Sequence, residues 1–128
     1  MALTAIPTDQ LAVALREGEE ASGSELFGLA TSKDATIRES LAARTDAPFS
    51  VLILLAQDKK SAVRATLAAN TAVGIAASVL SILAGDKDTD VVLALIANPA
   101  TPLDTVRALL DHGKKNVRKA AEERLLSL

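Results

Sequence analysis

A two-part signature recurs four times along the chain and limits its fold more than any other feature. Leu29-Ala30, Leu55-Ala56 and Leu83-Ala84 recur at intervals of 26 and 28, and Leu110-Asp111 follows at a further 27. Behind each comes a second cluster, Ile37-Arg38, Val63-Arg64, Val91-Val92 and Val117-Arg118, at intervals of 26, 28 and 26. The first three clusters run on into Leu41-Ala42-Ala43-Arg44, Leu67-Ala68-Ala69-Asn70 and Leu95-Ile96-Ala97-Asn98. One register held over four units is the mark of an array of supersecondary modules.

Each unit reads as two short helices. Of 128 residues, 25 are Ala and 20 Leu, against six Gly and four Pro, a composition that favours helix. The pairs fall near 25–32 with 35–44, 48–57 with 61–70, 75–84 with 88–98, and 102–112 with 116–127. Ser24 opens the first helix as an N-cap. Thr101-Pro102 with Asp104 opens the seventh, Thr capping free N–H groups, Pro suiting the first turn and Asp the positive dipole end. Asn70, Asn98-Pro99 and Gly113 mark stops, because Asn and Gly tolerate the left-handed conformation and Pro disfavours helix at the residue before it. A further helix near 8–18 places Leu11, Ala14, Leu15 and Gly18 on one stripe.

No helix of about ten residues buries its apolar stripe alone, so successive pairs must stack. The expected fold is all-α: a right-handed α-solenoid of about four two-helix repeats behind an N-terminal capping helix. The capping helix and its linker take residues 1–24, and the repeats lie near 25–46, 47–72, 73–100 and 101–128, within one structural domain. A globular helical bundle is the alternative, and the fixed register favours translation over closure. Small Ala side chains let helices approach closely, and Phe27 and Phe49, the only aromatic residues, fall at core positions.

The pattern Val-Arg-x-x-Leu-Ala-x-Asn-Pro behind an Asp, followed by Pro and a Leu-rich segment, resembles the leucine-rich repeat variant, a bacterial relative of HEAT and armadillo repeats. The fullest copy runs from Asp86 to Asp111 with Val91, Leu95, Ala97-Asn98-Pro99, Pro102 and Leu109-Leu110. The likeness covers roughly residues 25–126. These units are longer than the family's, and Arg44 and Asn70 lack the following Pro. The resemblance implies an α-superhelix. The name-giving member's iron–sulfur cluster is not implied, because this chain has no Cys.

The absence of Cys also excludes disulfides, cysteine-ligated metal and thiol catalysis. His112 is the only histidine and, beside Gly113, reads as a C-terminal cap, since zinc would need further ligands. Asp86-x-Asp88-x-Asp90 opens like a calcium loop but lacks the turn Gly and has Ala97 in place of the closing Glu, so helix N-capping explains it better. No phosphate loop or nucleophile elbow is present. Nothing points to an enzyme, a cofactor or a metal site. The longest apolar runs, Val51–Ala56 and Val91–Ala97, are too short to span a bilayer, and the N-terminus lacks a signal-peptide pattern, so a cytoplasmic protein is expected.

Two features carry candidate interaction surfaces. Arg38, Arg64 and Arg118 form a column that reads first as a structural ladder to acids such as Asp34, Asp58, Asp86 and Asp88, and second as an anion-binding row. The third unit breaks the column with Val92-Leu93, which is either an apolar spot for a partner, if that position is exposed, or simply a helix enclosed by its neighbours. The leading function is thus a non-catalytic protein–protein interaction or scaffold module, with a homodimer through an apolar end at Leu125, Leu126 and Leu128 as one form of partner. The alternative is nucleic-acid binding through the Arg column, by analogy with HEAT-like DNA glycosylases. It is disfavoured by the net charge of −2 and by the lack of aromatic residues to stack on bases.

Overall fold

Frequent Ala and Leu, interrupted by polar turns at short intervals, dictate short helices. The computed structural model describes residues 23–128, which are helical without a strand among them. The elements are α1 (Gly23–Ala30), α2 (Ala35–Ala42), α3 (Phe49–Ala56), α4 (Ser61–Ala68), a 3-10 turn (Thr71–Ile75), α5 (Ala77–Ala84), α6 (Thr89–Ala97), α7 (Leu103–Ala108), a second 3-10 turn (Leu109–Asp111) and α8 (Lys115–Leu126). Each of the eight helices expected in the repeats is present within a few residues of its expected bounds. The helix expected near 8–18 lies outside the described residues.

The helices form two layers. Within each unit the two helices pack together, and across units α1, α3, α5 and α7 pack in succession on one side, α2, α4, α6 and α8 on the other. The even-numbered layer is the more closely packed. Its core is written at i, i+4: Ile37 with Leu41, Val63 with Leu67, Val91 with Leu95, and Val117 with Ala121, all fully buried. The odd layer uses i, i+3: Leu26 with Leu29, Leu52 with Leu55, Leu80 with Leu83, and Val106 with Leu109. These spacings put each pair on one helical face. Burying each such side chain contributes about 1.5–3 kcal/mol, which helices this short cannot obtain alone.

The contacts correct several local readings. Leu109, not Leu110, fills the place of Leu29, Leu55 and Leu83, which restores the shorter interval between the third and fourth units; Leu109 is buried and Leu110 exposed. Phe27 and Phe49 are not core residues: they are 47% and 53% exposed. Ser24 lies inside α1 and not ahead of it, so it is not that helix's N-cap. Asn70 and Asn98 end their segments in extended conformations, with φ of −78° and −71°, not left-handed ones. Thr101 does not cap α7, whose cap is Pro102 without a side-chain bond; its Oγ1 donates instead to the Leu95 carbonyl at 2.7 Å.

The longer interval between the second and third units also has a place. Ten positions separate Asn70 from Leu80, where eight separate Arg44 from Leu52 and Asn98 from Val106. The additional residues form the first 3-10 turn, which buries Val73 and brings Gly74 against the following turn. A Cβ at Gly74 would overlap the Ala100 carbonyl, so only glycine fits this approach. No helix among the described residues is long and apolar enough to cross a membrane.

Candidate functional site

The Arg column is a ladder between units. Arg38 Nε donates to Asp58 Oδ2 at 2.7 Å and its Nη2 to Oδ1 at 3.3 Å; Arg64 donates to Asp86 with the same two distances. Each guanidinium is also fixed from behind, Arg38 Nη1 to the Ser32 carbonyl and Arg64 Nη1 to the Asp58 carbonyl, six positions upstream in each case. Arg118 makes the corresponding bond to the His112 carbonyl at 2.7 Å. The Arg38–Asp58 pair is only 6% exposed on either side. A buried fork-to-carboxylate pair with its remaining donors satisfied holds adjacent units in register.

The acceptors themselves recur. Ser32, Asp58, Asp86 and His112 occupy one position, at the same intervals of 26, 28 and 26. Each side chain accepts the backbone N–H two positions on: Ser32 Oγ from Asp34, Asp58 Oδ1 from Lys60, Asp86 Oδ1 from Asp88, His112 Nδ1 from Lys114. They fold the turn into each even helix. His112 therefore sits at a helix end, as its neighbour Gly113 suggests, but its imidazole serves the start of α8. In the Asp-rich turn, Asp86 receives Arg64 while Asp88 caps α6 through Asp90 N–H, so N-capping is the observed role of Asp88.

A second column satisfies the other ends of the even helices. Asn70 Nδ2 donates to the carbonyls of Ala42 and Arg44, and Asn98 Nδ2 to those of Ala68 and Asn70. Arg124 Nη1 donates to the carbonyls of Ile96 and Asn98. The series Arg44, Asn70, Asn98, Arg124 has the same 26, 28, 26 spacing. In each step a donor from one unit, buried for Asn70 and Asn98 and half-buried for Arg124, pairs carbonyls that the helix of the preceding unit cannot pair itself. Arg44, buried, also forks onto Asp46 at 2.7 and 2.8 Å, and this bond holds the Asp46 carboxyl below its ordinary 3.8.

The third unit departs from the ladder, and of the two readings of Val92-Leu93 the enclosed one holds at Val92. Val92 is fully buried in a separate cluster with Ile96, Val106, Leu109, Val117 and Ala121. The ladder position faces the next unit rather than solvent, which is why Arg38 is itself buried. Where Val replaces Arg, the acceptor one unit later is His112 instead of Asp, so both partners of the ion pair change together and apolar contact takes its place. Leu93, packed against that cluster, stays half-exposed.

Leu93 lies in the outward column Glu39, Ala65, Leu93, Lys119 of the even layer. Beside it, Ala62, Ala69 and Ala97 are exposed and Ala94 is half-exposed, with half-exposed Thr66 and exposed Asp90 among them, so the middle of this face is mainly small and apolar, with Glu39 on α2 and Lys119 on α8 at its two ends. On the opposite layer a groove of roughly 430 Å³ is lined by Phe49, Leu52, Ala76 and Ala77. No group of three His, Cys, Asp or Glu among the described residues is placed to hold a metal ion. Sequence reasoning found the Arg column and named Asp58 and Asp86 among four candidate acids for it, but missed that Ser32 and His112 share the acceptor row, and missed the Asn and Arg44/Arg124 column. The signal for both was the same 26, 28, 26 spacing applied to polar residues.

The chain matches no protein-family profile, no curated protein and no solved structure.

Proposed function

We propose that this chain is a non-catalytic interaction module, a short right-handed α-solenoid of the leucine-rich-repeat-variant and HEAT-like kind, which binds a protein partner on its even-helix layer. The observation that carries this reading is how the polar groups are used. Arg38 and Arg64 are bonded to Asp58 and Asp86, Asn70 and Asn98 to backbone carbonyls, and the middle of the even layer presents outward mainly Ala62, Ala65, Ala69, Leu93, Ala94 and Ala97, with Thr66 and Asp90 among them. Closer packing in that layer than in the other bends a stack toward it, making it the concave side on which solenoids present extended surfaces. An apolar centre with charged ends is the arrangement of a protein interface.

The test is in-cell cross-linking and affinity capture with the natural chain, Leu93→Lys, and Arg107→Glu on the opposite layer. Proteins captured by the natural chain should be lost with Leu93→Lys and retained with Arg107→Glu, and capture should change little with salt, as apolar contact does. Identical capture by all three chains would overturn the reading.

A further inference from the structure

Six of the seven lysines, Lys33, Lys59, Lys60, Lys87, Lys114 and Lys115, fall in or directly after the four turns that lead from odd to even helices. These turns follow one another along one rim of the stack, beside the Arg–Asp ladder. All six side chains are exposed, and none is paired with a carboxylate among the described residues. Lys33, Lys59 and Lys87 share one register position, each directly after its unit's acceptor, Ser32, Asp58 or Asp86. Between the first two lies a hollow of roughly 560 Å³, lined also by Thr31, Ser32, Gln57 and Asp58. Of the rim's carboxylates, Asp58 and Asp86 are taken by Arg38 and Arg64, and Asp34 and Asp88 cap α2 and α6. Only Asp90 and Asp111 are exposed there.

Two of these lysines stand against the local rule for helix starts. Lys60 and Lys114 hold the N-cap positions of α4 and α8 without a side-chain bond, where α2 and α6 have Asp34 and Asp88. A cation there is repelled by the helix dipole and accepts no first-turn N–H. Departures of this kind are expected where binding, not the helix, sets the residue. Neighbouring helices in a stack lie about 8–10 Å apart, and a polyproline II chain rises about 9 Å per three-residue turn. A carboxylate at every third residue therefore meets one unit after another. From this match of charge and spacing we infer that the lysine rim binds an extended acidic polypeptide segment, with one of its carboxylates in the hollow between Lys33 and Lys59. A nucleic-acid strand fits less well, because Asp90 and Asp111 interrupt the row against a continuous phosphate backbone and no aromatic residue lies on the rim to stack on bases. The rim borders the Leu93 face without including it, so either reading can fail alone.

Fluorescence anisotropy of a labelled peptide, Glu-Pro-Pro repeated four times, against the full chain tests it. The peptide should bind, less tightly as salt rises. Its block isomer, with the four Glu together ahead of the eight Pro, should bind about fivefold more weakly or worse, since its charges reach fewer units. Lys59→Glu should weaken binding by about threefold or more, and Lys59→Glu with Lys87→Glu by about tenfold or more. Arg107→Glu makes the same change of net charge away from the rim as Lys59→Glu and should alter binding by less than about twofold. Both lysine side chains are exposed and without an ion pair, so their reversal reads the rim without disturbing the fold. Absence of binding, equal binding of the block isomer, an equal loss with Arg107→Glu, or tighter binding of a single-stranded DNA of the same charge would each overturn the proposal.

Discussion

The side-chain amide of Asn98 donates to the backbone carbonyl of Asn70, the residue that performs the same task one unit earlier, at 2.8 Å. Both amides are buried, and each also accepts a turn N–H, Asn70 Oδ1 from Ala72 and Asn98 Oδ1 from Ala100. The column is thus recursive: the backbone shaped by one Asn is the acceptor of the next.

Asn98→Ala would leave the Ala68 carbonyl and the Ala100 N–H without their partner, and the Asn70 carbonyl with only the Val73 N–H. A loss of about 2–4 kcal/mol is expected, read as a lower urea midpoint at unchanged slope. Asn98→Asp should be no better, because a carboxylate cannot donate to a carbonyl. A loss below about 0.5 kcal/mol would mean that water replaces the amide.

Asp58→Ala strands the Arg38 guanidinium in a buried site. The expected cost is about 3–5 kcal/mol. Replacing both partners, Arg38→Met with Asp58→Leu, should recover most of it, since an apolar pair removes the uncompensated charge. A double-mutant cycle measures the coupling.

The third unit already carries such a replacement, in Val92 and His112. Val92→Arg alone should destabilise the chain, placing a guanidinium in an apolar cluster opposite an imidazole that is bonded to Lys114 N–H. Val92→Arg with His112→Asp rebuilds the pair found in the first two units and should be more stable than Val92→Arg by about 2 kcal/mol or more. Thermal unfolding of the three chains decides it.

Asp46 gives a pH signature. Its folded carboxyl lies below its ordinary 3.8 because Arg44 hydrogen-bonds to it. The stabilisation is therefore complete above that ordinary value and is lost as pH falls through the lowered one. The stability difference between the natural chain and Asp46→Asn should be constant near neutrality and should shrink between about pH 5 and pH 2. A difference that widens on acidification would contradict the Arg44 fork.

Much of the helical layout was legible from Leu and Ala spacing alone, because apolar periodicity and turn residues are local signals. Less legible was what the polar positions do. Arg38 and Val92 share a register position, and their sequences do not say whether it faces solvent or the next unit. Leu109 and Leu110 compete for one core position, and only packing chooses. Phe27 and Phe49 look like core on hydrophobicity, yet both lie exposed beside the buried stripes of α1 and α3.

By itself the sequence determined the short helices of the four repeats, their order, and an Arg column that repeats with them, since backbone propensity and periodicity act within a few turns. The tertiary structure alone decided which partner each polar side chain takes. Arg38 reaches Asp58 at a separation of 20 along the chain, and Asn98 reaches Ala68 at a separation of 30. Such pairs form only once stacking excludes water and leaves a buried donor no other acceptor.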